Sequence, residues 1–183
     1  MFVTSDLHFF HKRVKEFCPE TRPWDTLEEM HEFFIAEWNK CASKPGVKMY
    51  HLGDFCFGKP DQAEEIASRL QGEITFISGN HDFSPLKQVL SKYGEVRQYA
   101  EVKYNKKMFV MMHYPILDWR NKGNGSIHLF GHEHGRLKDM EESMGKAMDV
   151  GWDSVQKFLH FDEILEIMET RSINPVGHHT GER

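Results

Sequence analysis

Short apolar runs recur along the chain at Phe2–Ser5, Val47–Leu52, Ile74–Ser78, Met108–Met112 and Ile127–Phe130. Runs of this length, bounded by turn-forming residues, predict buried strands. Tyr99–Tyr104 predicts a sixth strand and Ala147–Trp152 a seventh. Between them the period lengthens to that of a helix. Leu27, Met30, Phe34, Trp38 and Cys41 fall on one face of a helix over about 27–42, capped by Asp25 or Thr26 and ended by Pro45-Gly46. Further helices are predicted over 61–70, stopped by Gly72, and after Ser84-Pro85, with Ser84 as N-cap. A last one covers about 162–170. Strands alternating with helices predict a layered α/β fold.

Composition narrows this picture. With 183 residues, 13% of them aromatic, the chain can build one substantial core. No linker or repeat divides it, so 1–171 reads as a single domain. The tail 172–183, with His178-His179, reads as a frayed end rather than a metal site. No apolar stretch approaches the roughly 20 residues of a membrane span, and no secretory signal opens the chain, which together predict a cytoplasmic protein with no membrane partner. Three scattered cysteines, Cys18, Cys41 and Cys56, make neither a disulfide framework nor a zinc cluster. A net charge of −5 disfavours binding along a long nucleic acid.

The 12 histidines change the picture more, because several of them follow the strands. The first run leads into Asp6 and His8, the second into Gly53-Asp54 and the third into Gly79-Asn80-His81-Asp82. The fourth leads into His113 and the fifth into Gly131-His132-Glu133-His134. Taken singly, each block reads equally as turn chemistry or a surface pair. Five strand ends in register read as one crevice, since ligands bind at the carboxyl ends of α/β strands. Residues separated by one on a last pleat point the same way, so Asp6 with His8 and His132 with His134 each aim inward together. This donor set exceeds the needs of one ion and suits two. Mixed imidazole and carboxylate donors favour Mn²⁺, Fe, Zn²⁺, Co²⁺ or Ni²⁺ over Mg²⁺ or Ca²⁺.

D-x-H, G-D, G-N-H-D, a lone His and G-H-x-H, in this order over Asp6 to His134, resemble the signature of the calcineurin-like metallophosphoesterase superfamily. More narrowly, "SDLHFFH", "RPW", "YHLGDFCFG", "SGNHD", "HYPILDW" and "HLFGHEHG" are similar to its small bacterial and phage branch. The resemblance implies a four-layer α/β/β/α sandwich. It implies one ion held by Asp6, His8, Asp54 and His134, and a second held by Asp54, Asn80, His113 and His132, with Asp54 bridging. It implies His81 as general acid or transition-state stabiliser, oriented by Asp82. The two ions would most readily be Mn²⁺. Chemistry supports these roles: two cations clamp a phosphoryl group and acidify a bridging water, whose hydroxide attacks phosphorus in line. An imidazolium then serves the leaving oxygen.

For substrate contact the sequence offers His11, Arg13 and Arg120, with Arg22 and Trp119 as further candidates; Arg22-Pro23-Trp24 reads equally as a structural turn. Asp149 and Asp153, flanking Gly151-Trp152, read as turn residues ahead of the alternative, a supporting role behind the metal ligands. His132-Glu133 is not a zinc-protease HExxH, because Arg136 stands where the second histidine belongs. A metallo-β-lactamase would need HxHxDH. The expected function is hydrolysis of a small phosphate ester or nucleotide, with phosphodiesters favoured because no insertion is long enough to cap the site. The alternatives are a phosphomonoesterase and a non-catalytic metal-binding scaffold.

Overall fold

The computed structural model describes residues 1–173. The expected tail reading, His178-His179 included, concerns residues that lie largely outside them. Two sheets carry the fold. The first is built from β1 (Phe2–Thr4), β2 (Lys48–His51), β3 (Glu73–Ile77), β4 (Gly94–Arg97) and β9 (Leu159–His160), in the order β4-β3-β2-β1-β9. Its strands are parallel except for β9, which runs antiparallel to β1. The second contains β5 (Tyr99–Tyr104), β6 (Lys107–Met112), β7 (Ile127–Phe130) and β8 (Ala147–Asp149), in chain order. There β5 and β6 form an antiparallel hairpin, and β6, β7 and β8 run parallel.

The helices are α1 (Val14–Phe17), α2 (Leu27–Cys41), α3 (Pro60–Ala67), α4 (Ser84–Leu90), α5 (Glu141–Met144), α6 (Trp152–Val155) and α7 (Phe161–Glu169). Helix α2 starts where its sequence says it should. The Thr26 side chain accepts from the Glu29 N–H, and Glu29 reaches back to the Thr26 N–H, which satisfies donors the first turn leaves open. At α4 the expectation fails by one residue. Phe83 is the N-cap, Ser84 is the first helical residue and Pro85 follows, so no side chain caps this helix. The predicted seventh strand also shortens: it ends at Asp149, and Trp152 opens α6.

Three apolar clusters fill the layers. Met30, Phe34 and Trp38 of α2, with Ala63 and Ile66 of α3 and Leu86 of α4, pack on one face of the first sheet. Val3, Tyr50 and Ile77 on its other face meet Phe109, Met111 and Leu129 of the second sheet, with Phe161 and Ile164 of α7 closing the gap. Val110 and Phe130 point outward from the second sheet under Trp119, Leu137 and Met144. The result is the expected four-layer α/β/β/α sandwich, its last layer thin.

Not every buried residue is apolar. His51 lies wholly inside the first cluster, its ring 5.2 Å from Phe55, and neither ring nitrogen has a hydrogen-bond partner among the described residues. Burial drives its pKa down to about 3. The fold therefore requires neutral His51, whereas the unfolded chain protonates it near pH 6.5. Its contribution is full above 6.5 and is lost as pH falls towards 3. Replacing His51→Leu should reduce the loss of stability between pH 7 and pH 5 by about 2 kcal/mol. Urea unfolding of both proteins at the two pH values would show it; parallel losses would count against the assignment.

Candidate metal centre

The carboxyl ends of β1, β2, β3, β6 and β7 converge where the two sheets meet. Ser5 pairs with Gly151, joining the end of β1 to the loop after β8. The Asp6 N–H donates to the Gly53 carbonyl, and the His132 N–H donates to Asp6 Oδ2 at 2.9 Å. Loops from both sheets are thus tied to one another through Asp6.

The backbone here differs from the pleat that sequence spacing predicts. Asp6, His8, Asp54, His132 and His134 all lie beyond their strands with φ between +50° and +71°, the left-handed region that non-glycine residues avoid. Such strain persists where surrounding structure enforces it, and it concentrates at functional sites. The flanking glycines permit the close approach. A Cβ on Gly79 would overlap the Asp54 backbone and carboxylate, and one on Gly131 would overlap Ser5 and Asp6. Glycine is therefore required at both positions by the proximity of neighbouring loops.

Eight polar side chains gather at this seam. Asp6 Oδ1 stands 3.9 Å from His8 Nε2 and 4.0 Å from His134 Nε2. Asp54 Oδ2 stands 3.9 Å from His8 Nε2, 3.6 Å from His113 Nε2 and 3.9 Å from His81 Nε2. Asn80 Oδ1 lies 2.9 Å from His113 Nε2 and 3.0 Å from His132 Nδ1. The gaps of 3.6–4.0 Å are too long for hydrogen bonds. They are within the span of two atoms each bonded at about 2.1 Å to a shared cation.

The protonation pattern gives the same answer. His113 Nδ1 donates to the Leu52 carbonyl at 2.8 Å, and burial lowers its pKa, so Nε2 carries a lone pair. That lone pair faces the oxygens of Asn80 and Asp54. His134 Nδ1 lies 2.7 Å from Asp153 Oδ2, which leaves its Nε2 directed at His8 Nε2, 3.2 Å away. Asp6 Oδ1 is buried without a hydrogen-bond partner. The His113 lone pair and the unpartnered Asp6 oxygen, gathered with the Asp54 and Asn80 oxygens in a buried place, fit divalent cations. The ionisation of the protein alone reflects this crowding: burial raises Asp6 to about 8 and pushes His8 well below the usual histidine range. Burial also works against a charged His134, but hydrogen bonds to Asp153 and Cys18 and the charge of Asp6 overcome it and lift it to about 10.

Residues beneath the site hold it in place. Asp82 does not contact the His81 ring in the manner expected for an orienting carboxylate. Its two oxygens accept the N–H groups of Asp54, Gly79 and Phe55 at 2.9, 2.8 and 3.1 Å, stitching the G-D loop to the G-N-H-D loop. It acts on His81 through the backbone, whose N–H at 81 donates to Asp54 Oδ1. Asp153, read from sequence as a turn residue, instead anchors His134 and takes a bidentate pair of bonds from Arg22. Those partners hold its carboxyl well below the usual range against the cost of burying it. Asp149 accepts the N–H groups of Gly135 and Gly151, fixing the loops on either side.

The substrate candidates separate. Arg22 is fully buried and spends its remaining donors on the carbonyls of Leu7 and Asp6, so it braces the first loop and touches no substrate. Trp119 is buried against His128 and Lys122. Arg120 pairs with Glu101 on the second sheet and lines a cavity that includes none of the eight seam residues. His11 and Arg13 instead line a groove beside the site, with the His11 ring 5.5 Å from that of His8. The sequence signal for Asp153 was faint: an acid just past Gly151-Trp152, in no motif block.

Comparison with known proteins covers the same span. A family model described as calcineurin-like phosphoesterase matches residues 1–179. An uncharacterized protein of Methanocaldococcus jannaschii is 32% identical over 184 residues, covering 95% of this chain and 96% of its own. The gene 66 protein of Mycobacterium phage D29 is 24% identical, covering 92% and 95%. A solved structure from Aquifex aeolicus, a protein of unknown function, superposes with a TM-score of 0.71 at 23% identity over 91% of this chain and 98% of that one.

Proposed function

The chain belongs to the calcineurin-like phosphoesterase family and is a phosphoric ester hydrolase, and on that premise we propose that it works through a dinuclear metal centre. In this reading Asp6, His8, Asp54 and His134 hold one ion, and Asp54, Asn80, His113 and His132 hold the other. The observation that carries it is Asp54 Oδ2, placed 3.6–3.9 Å from imidazole nitrogens of His8 and His113 on opposite sides of the seam. A carboxylate is the natural bridge because its oxygens can serve two cations at once. Two divalent ions there, Mn²⁺ foremost, would neutralise phosphate charge and acidify water.

The chain's own groups supply the rest. His81 is anchored in its loop by its own N–H, which donates to Asp54 Oδ1, and its side chain is exposed at the rim, where it can give a proton to a departing alkoxide. Asp82 keeps that loop fixed, so the imidazole meets the ester in a set position. Asp153 and Arg22 hold His134 with Nε2 turned inward. Phosphodiesters are the favoured substrates, and the free thiols of Cys18, Cys41 and Cys56 accord with a cytoplasmic setting. Among the described residues no helix is long and apolar enough to cross a membrane.

The test strips the protein with chelator, restores Mn²⁺, and follows hydrolysis of bis(p-nitrophenyl) phosphate beside p-nitrophenyl phosphate. Turnover should return with about two ions per chain, faster on the diester. His81→Ala should keep both ions and lose about 100-fold or more in kcat. A chain that binds no metal overturns the reading. Two bound ions with no turnover on either ester would favour the non-catalytic scaffold.

A further inference from the structure

Beside the seam runs a groove of about 990 Å³ whose inner end is the ring of Phe57. That ring lies 4.6 Å from His81, 4.1 Å from His11 and 6.0 Å from His8 between centroids, yet Phe57 remains 44% exposed. A large apolar side chain left open against the reacting centre has a face to offer. Phe17 and Phe83 are exposed further along the same groove. Lys12 and Lys59 contribute cations to its lining against the carboxylate of Glu28, and Arg13 lies over the Phe17 ring with Glu16 as its partner. A chain of net charge −5 thus presents a locally basic, aromatic strip next to its catalytic residues.

The Phe57 backbone is fixed rather than loose. Its N–H donates to the Phe9 carbonyl at 2.8 Å, Phe9 bridges to Cys56, and the Phe9 N–H donates to the Phe55 carbonyl. The two loops that carry His8 and Asp54 therefore zip together and hold the ring in place before anything binds. Preorganisation of this kind lowers the entropy cost of association.

We propose that Phe57 is the base-stacking platform of a nucleotide-binding subsite, and that the substrate is a phosphate ester bearing a nucleoside. The proposal rests on the phosphoesterase reading, which places the phosphate over Asp54 and beside His81. A group attached to that phosphate and directed along the groove passes across the Phe57 ring. A flat π-system gains from such a face whatever its base identity, and nearby cations favour a phosphorylated ligand over a neutral one. An acyl chain would gain nothing from the lysines.

The test titrates the Mn²⁺-loaded full-length protein by calorimetry with adenosine 5′-monophosphate and with ribose 5-phosphate, which share a phosphate and sugar and differ by the base. The nucleotide should bind about tenfold more tightly. Phe57→Ala should abolish that difference while leaving ribose 5-phosphate affinity unchanged, and Phe57→Trp should retain it. Equal affinities in the unaltered protein, or a difference that survives Phe57→Ala, would overturn the proposal. Absence of any ribose 5-phosphate binding to the metal-loaded protein would overturn the placement of the phosphate over Asp54, and the subsite with it.

Discussion

Asp54→Asn should cost at least about a thousandfold in kcat for bis(p-nitrophenyl) phosphate, the scale seen when a central catalytic group is lost. The substitution keeps the shape of the side chain and removes one negative charge. Oδ1 of Asp54 accepts the His81 N–H, and Oδ2 faces His8, His113 and His81. An amide in that place retains at most one acceptor, so it can hold the loop or face a cation but cannot join two. The measurement needs a second readout, because inactivity alone has many causes. Saturating Mn²⁺ at about 100 times its Kd should stabilise the unaltered protein by about 2.7 kcal/mol for each ion bound, and the variant by much less. In chelator the variant should be no less stable than its parent, since a buried charge among acidic neighbours has gone. Full turnover in Asp54→Asn, or an unchanged metal-dependent shift, would remove Asp54 from the bridging position.

Arg22→Ala should be the most destabilising substitution in the loops beneath the site, at about 3–5 kcal/mol. The side chain is 1% exposed, and it donates to Asp153 through Nε and Nη2, to Leu7 through Nη1 and to Asp6 through Nη2. Removing it leaves the buried Asp153 carboxylate with only His134 and Thr21 as partners and takes the donor from two carbonyls at once. For a chain of this size the loss corresponds to a fall in Tm of about 10 °C, readable by calorimetry in chelator. A change below about 1 kcal/mol would mean that solvent or rearrangement replaces the guanidinium, and that the seam is softer than its hydrogen bonds imply. The same variant should also free His134 from its fixed tautomer, because Asp153 then has one anchor fewer.

Much of this arrangement was legible in the chain itself. The strands that carry the site are continuous apolar runs because parallel strands buried on both faces must be. Their ends are marked by Asp, Asn and His, residues with no reason to recur there unless they share a task. What escaped was whatever depended on contact rather than pattern. Strand β4, Gly94–Arg97, alternates half-exposed with exposed residues and exists by virtue of its ladder to β3. Strand β9 is two residues long and is held by β1. Asp82 looked like a partner for the neighbouring imidazole, yet the nearest unsatisfied donors belonged to another loop, 27 and 28 residues away. Asp153 meets Arg22 across 131 residues, a distance at which no spacing rule applies. Arg120 looked close to the site because it follows His113, but Glu101 on the adjoining strand holds it elsewhere.

The seam between the sheets also sets the order of events during folding. Asp6 belongs to the first sheet and the His132 amide that it accepts lies 126 residues later, beyond the second sheet's central strand. Loop closure over such a span is slow and comes late. The complete donor set therefore exists only after both sheets have formed and docked. A divalent ion held by that set would not act as nucleus for this chain, and its binding free energy would fall on the native side of the barrier. It would leave the folding rate alone and slow the escape from the native state. Metal there would be a latch on a finished molecule, its contribution read in slower unfolding.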